Sequence, residues 1–97
     1  MPVMMVMRWP GVSKDQYEKV RKATNFEGEF PQGAMFHVVS FGDGAMHVTD
    51  IWESEADFQR FMDERLGGAV ADAGITTQPE SAFYPMHNCF NPRVGMS

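Results

Sequence analysis

Histidine is the side chain whose ordinary pKa lies close enough to neutrality to give and take a proton there. This 97-residue chain has three, His37, His47 and His87. The first two flank Gly42-Asp43-Gly44, between runs rich in Val, Phe and other strand formers, Ala34 to Phe41 and Ala45 to Trp52. A three-residue glycine loop predicts a hairpin in which Phe41 faces Ala45, Val39 faces His47, His37 faces Thr49 and Met35 faces Ile51. That register puts both imidazoles on one sheet face at diagonal positions, where they could line one cavity as catalytic acid-base groups. The alternative is that each fills space and holds one hydrogen bond. Trp52, Tyr84 and Tyr17 are large aromatics with one polar edge, suited to bracket a planar organic substrate and equally suited to a core.

Other residues carry weaker signals. Arg8 and Asp50 interrupt apolar strands expected to be neighbours, and a buried charge is normally paired, so these two are expected to pair; unpaired, either could bind a charged group of a ligand or the second subunit. Cys89 is alone and reads as a small structural thiol. His87-Asn88 sits past Pro85 and could meet a partner or a substrate. The nine methionines suit adaptable packing, in a core or around a pocket. No Gly-rich phosphate loop, Ser-His-Asp order, paired-carboxylate signature or Cys cluster is present, so neither a nucleotide cofactor nor a metal is expected.

The elements that must position these residues follow from periodicity. Val3 to Trp9 is a short apolar run ended by Pro10-Gly11, a strand apolar on both faces apart from Arg8. Ser13 and Gln16 form a capping box that starts a helix with Tyr17, Val20 and Thr24 on its inner face. Asn25 to Gly33 is a loop. Ser54 caps a second helix with Phe58, Phe61, Met62 and Leu66 at core spacing, expected to stop at Gly67-Gly68, with a helical turn over Ala69 to Ala73 closed by Gly74. Ala82 to Phe90 is a last strand, placed at a sheet edge by Pro85.

The order strand, helix, strand, strand, helix, strand is the ferredoxin-like α+β arrangement, a four-stranded antiparallel sheet with two helices on one face. One domain is expected over 1–97, with a core over 3–90 and a polar tail over 91–97. The other sheet face is apolar with nothing in the chain to cover it, which predicts a homodimer through that face. Eight Lys and Arg against thirteen Asp and Glu, spread along the chain, argue against a nucleic-acid partner. No window approaches a membrane span, so no membrane partner is expected. A single cysteine that cannot form an internal bridge fits a reducing cytoplasm.

The stretch Val48-Thr49-Asp50-Ile51-Trp52-Glu53-Ser54-Glu55-Ala56-Asp57-Phe58, followed by Tyr84-Pro85-Met86-His87-Asn88, resembles the dimeric α+β barrel superfamily, which includes the antibiotic-biosynthesis monooxygenase-like proteins. The resemblance implies the fold more firmly than an activity. In the haem-degrading branch an Asn on the first strand, a Trp at this position and a His after the second helix form the site. Trp52 matches, but the first strand has no Asn and no His follows Leu66 before His87, so haem degradation is not implied. Two functions stay open: a cofactor-independent monooxygenase-like enzyme that uses His37 or His47 on an aromatic or apolar molecule, or a non-catalytic ligand-binding or stress-related dimer.

Overall fold

The computed structural model describes residues 2–92, so all but the first two positions of the tail expected over 91–97 lie outside it. Strand β1, Val3–Pro10, is central in the sheet and buries Met5, Met7 and Trp9 on one face. Ser13 then caps helix α1, Lys14–Thr24: its hydroxyl accepts the Gln16 amide at 3.1 Å, and the Gln16 side chain accepts the Ser13 amide at 3.0 Å. The helix ends where Asn25 enters the left-handed region at φ 50°.

Strands β2, Ala34–Gly42, and β3, Ala45–Trp52, form the expected hairpin in a different register. Gly42 belongs to the strand, and the turn is the two residues Asp43 and Gly44, with φ of 54° and 73°. Asp-Gly is the sequence that a two-residue turn with positive φ at both positions selects, and its twist matches that of the flanking strands. Phe41 therefore pairs with Met46, Ser40 with His47 and His37 with Asp50. This one-residue change moves His47 to the opposite face from His37, because side chains alternate along a strand. The expected His37–His47 pair is thus not formed.

Ser54 caps helix α2, Glu55–Phe61, and its hydroxyl accepts the Asp57 amide at 3.1 Å. The helix does not stop at the glycine pair. It widens into a π-helical turn, Met62–Leu66, and continues as α3, Gly67–Asp72, up to Gly74 at φ 78°. Gly67 tolerates helical angles as readily as any others. A Cβ there would come within 3.1 Å of the Met62 carbonyl, so glycine fits the widened turn rather than ending it. Strand β4, Glu80–Pro85, is shorter than expected. Its partner β1 runs out at Val3, opposite Pro85, so residues past Met86 have no strand to pair with.

All neighbours in the sheet, ordered β2-β3-β1-β4, are antiparallel, which places β4 at an edge as its proline requires. The helices pack on one face over Met5, Met7, Trp9, Met46, Val48 and Trp52, with Phe58 and Phe61 from above. The other face carries Met4, Val38 and Tyr84, which are 36%, 47% and 52% exposed. Arg8 lies on that outer face, paired with Glu80 at 3.3 Å, while Asp50 points under the helices. The expected Arg8–Asp50 pair is excluded by parity: Arg8 is opposite His47 and Asp50 is opposite Met5.

Candidate functional site

Between the sheet and the helices lies a cavity of about 300 Å³, at the lower end of the range for small-molecule sites. Its walls are apolar, with Met5, Met7, Met46, Trp9, Phe58 and Phe61 among them. The polar groups that line it come from three elements and from the loop after α1, which supplies Glu27. Tyr17 comes from the inner face of α1, His37 from β2, and Asp50 and Trp52 from β3.

These four form one hydrogen-bonded chain. The Tyr17 hydroxyl lies 2.9 Å from His37 Nε2, His37 Nδ1 lies 2.7 Å from Asp50 Oδ1, and Trp52 Nε1 donates to Asp50 Oδ2 at 3.0 Å. An indole N–H can only donate, and a carboxylate can only accept. Asp50 therefore takes a proton donor on each oxygen and His37 donates through Nδ1, which in the neutral imidazole leaves Nε2 to accept from the Tyr17 hydroxyl. Burial, the largest effect, pushes the Tyr17 phenol up to about 12, so it keeps its proton at neutral pH and has one to donate to His37.

The geometry permits a relay of the kind used by hydroxyl-imidazole-carboxylate triads. A bound molecule could pass a proton to the Tyr17 oxygen as Tyr17 passes its own to His37 Nε2, with Asp50 stabilising the resulting imidazolium. Asp50 is 6% exposed, so its charge acts in a poorly hydrated setting.

The loop between α1 and β2 closes one side. Phe26 meets the His37 ring edge-on at 5.0 Å between centroids, and Phe30 lines the cavity while remaining 79% exposed. Arg65, delivered by the π-helical turn, donates to the Thr24 and Glu29 carbonyls and lies 5.3 Å from the Phe61 ring centre. It ties both ends of that loop segment to a cavity wall.

Of the residues singled out in the sequence, the structure brings Tyr17, His37 and Trp52 together and leaves two apart. His47 faces the opposite side of the sheet, where its Nε2 lies 3.0 Å from the Gly42 carbonyl. Tyr84 pairs across from Met4 on that same outer face, away from the cavity. Phe26 was missed as a site residue, and Asp50, expected first as the partner of Arg8 and only otherwise as a ligand-binding charge, joins the site; the alternation that places it on the Trp52 face was the available signal. Among the described residues, no three His, Cys, Asp or Glu side chains converge to hold a metal.

No family model matches the chain, and no curated protein matches it either. Solved structures do. SnoaB from Streptomyces nogalater, a cofactor-independent oxygenase, superposes with a TM-score of 0.68 over 95% of this chain and 98% of its own at 14% identity. The chain carries the fold of the antibiotic-biosynthesis monooxygenase-like proteins. The ActVA-Orf6 monooxygenase of Streptomyces coelicolor, in complex with nanaomycin D, matches at 0.61 over 94% of this chain and 92% of its own, with 17% identity. Rv0793 from Mycobacterium tuberculosis matches at 0.69 over 94% of this chain and 100% of its own, with 10% identity. The ferredoxin-like topology expected from the element order is thus the observed one. No helix among the described residues is long and apolar enough to cross a membrane.

Proposed function

We propose that this chain is a cofactor-independent oxygenase-like enzyme that takes a flat, apolar aromatic molecule into the cavity, with His37 as the base. The observation that carries this reading is the hydrogen-bonded chain Tyr17 to His37 to Asp50, set in a mostly apolar cavity whose other charged lining residue is Glu27. The fold shared with SnoaB and ActVA-Orf6 supports it, as does the nanaomycin D bound by the latter. In the reaction envisaged, the relay takes a proton from an acidic C–H or O–H of the substrate. The electron-rich anion then reduces dioxygen from solution, so that a ring methylene becomes a carbonyl, one oxygen atom enters the product and the other leaves as water. Both electron pairs come from the substrate, so no cofactor has to supply them.

Anthrone tests this, since its methylene is acidic and its product, anthraquinone, is coloured differently. The expected result is anthraquinone formation above the buffer blank, with one dioxygen consumed per anthrone. Binding without oxygen uptake would instead favour a non-catalytic ligand holder, and no binding would remove both.

The outer sheet face supports a second expectation. With Met4, Val38 and Tyr84 exposed in one patch beside Val6 and Ile51, a second copy of the chain is the proposed cover. Light scattering at micromolar concentration should give about twice the 10.9 kDa chain mass, and Val38→Asp should shift it toward the monomer. A wild-type monomer would overturn the expectation.

A further inference from the structure

The charges around the cavity are one-sided. Its charged lining residues are Glu27 and Asp50, joined by the titratable His37, and neither lysine nor arginine lines it. The cations nearby are already occupied. Arg21 grips Glu27 with both ends of its guanidinium, Nε to one oxygen at 2.7 Å and Nη2 to the other at 3.0 Å, while Nη1 reaches Glu18 at 3.2 Å. Arg65 is spent on the Thr24 and Glu29 carbonyls, and Arg60 on Asp57 at 2.8 Å.

Bidentate pairing of this kind fixes both partners in place and leaves Arg21 no free edge to offer a ligand. That clamp also holds the Glu27 carboxyl below the usual carboxylate range, chiefly through the hydrogen bonds from Arg21, so it stays ionised across the working pH range. An anionic group entering such a cavity would lose part of its hydration and meet two carboxylates, Glu27 held by Arg21 and Asp50 held by His37, with no lysine or arginine on the lining to offer it a free counter-charge. A hydroxyl or carbonyl would meet the Tyr17 and His37 hydrogen-bonding groups instead.

We propose that Glu27, clamped by Arg21, makes the cavity selective for uncharged aromatic ligands against anionic ones of the same shape. The inference rests on the cavity being an organic-molecule site, as argued above, and adds the charge class of what it admits. Carboxylated or phosphorylated aromatics are then disfavoured against neutral ones of the same shape. A precursor whose acidic group has been removed, esterified or amidated would be the preferred substrate.

Two ligands with one ring frame test it by quenching of tryptophan fluorescence: 6-hydroxy-2-naphthamide, which is neutral, and 6-hydroxy-2-naphthoate, which is an anion. In the wild-type protein the naphthoate should bind about tenfold more weakly than the amide, the size of one unfavourable charge contact at a partly hydrated rim. Glu27→Gln removes one carboxylate and frees Arg21, so the ratio should shrink to about threefold or less. Arg21→Gln unpairs Glu27, and the ratio should widen. Raising the salt to about 0.5 M should narrow it in the wild type through screening.

Equal affinities in the wild type, or a ratio that Glu27→Gln leaves unchanged, would overturn the proposal. If the amide itself fails to bind, the cavity reading falls and the selectivity with it. If the amide binds and the naphthoate binds as well, only the selectivity falls. The wild-type comparison decides the question whether or not either variant folds.

Discussion

His37→Gln should lower anthrone turnover by about two orders of magnitude, the usual contribution of a positioned general base, while the protein loses no more stability than one hydrogen bond supplies. Glutamine can still hydrogen-bond near Asp50, but it cannot accept and hold a proton at neutral pH. The stability change is bounded by one hydrogen bond to a buried carboxylate, about 1–3 kcal/mol. Asp50 also keeps its second donor, Trp52 Nε1 at 3.0 Å. Two readouts separate the roles: initial rate with saturating anthrone, and the thermal midpoint of the same preparation. A large fall in midpoint with turnover unchanged would make His37 a structural residue and the base would have to be sought elsewhere. The parallel variant His47→Gln serves as the control, since its ring faces away from the cavity and should leave turnover within about twofold of wild type.

The contrast between the two histidines shows where sequence reasoning reached its limit. Within each strand the alternation was legible: His37 shares a face with Val39 and Phe41, and Asp50 with Val48 and Trp52, as period two demands. What could not be read from periodicity was how the strands pair. That depended on whether Gly42 lies in the turn or the strand, and two glycines beside one aspartate permit both. The Asp43-Gly44 pair was the discriminating feature, because positive φ at both positions selects a two-residue turn. The shift of one residue replaced a histidine pair with a histidine-carboxylate pair, a larger change in chemistry than in fold.

Asp50 illustrates the same point from the side of charge. Sign alone suggested Arg8, on the neighbouring strand. The register sets Asp50 opposite Met5 and Arg8 opposite His47, so the two side chains leave the sheet in opposite directions. No electrostatic attraction moves a side chain through a sheet. The helix caps, by contrast, were readable because they depend on neighbours in sequence: Ser13 with Gln16, and Ser54 with Asp57. The missed continuation past Gly67 has a similar cause, since glycine permits a stop without requiring one, and the contacts of Ala69 and Ala73 with Val20 hold the extra turns in place.

Trp52→Ala should be the most destabilising single change in the site, by about 3–5 kcal/mol, the range for truncating a buried aromatic. The side chain is 3% exposed and packs against Phe58 and Phe61, with ring centres at 5.5 and 5.7 Å, so its loss opens a hole under α2. Trp52→Phe separates packing from hydrogen bonding. It keeps most of the ring volume but strips Asp50 of one donor, leaving a buried carboxylate oxygen unpaired, which should cost about 1–3 kcal/mol. Urea unfolding at one fixed protein concentration gives both values from the shift in midpoint, with the slope checked for constancy. Trp9, 5% exposed and untouched by either change, remains as the fluorescent reporter. If both variants cost the same, the hydrogen bond to Asp50 carries the whole effect and the packing none. If both cost under about 1 kcal/mol, the α2 contact relaxes freely and Trp52 is not the wedge that holds the cavity wall in place.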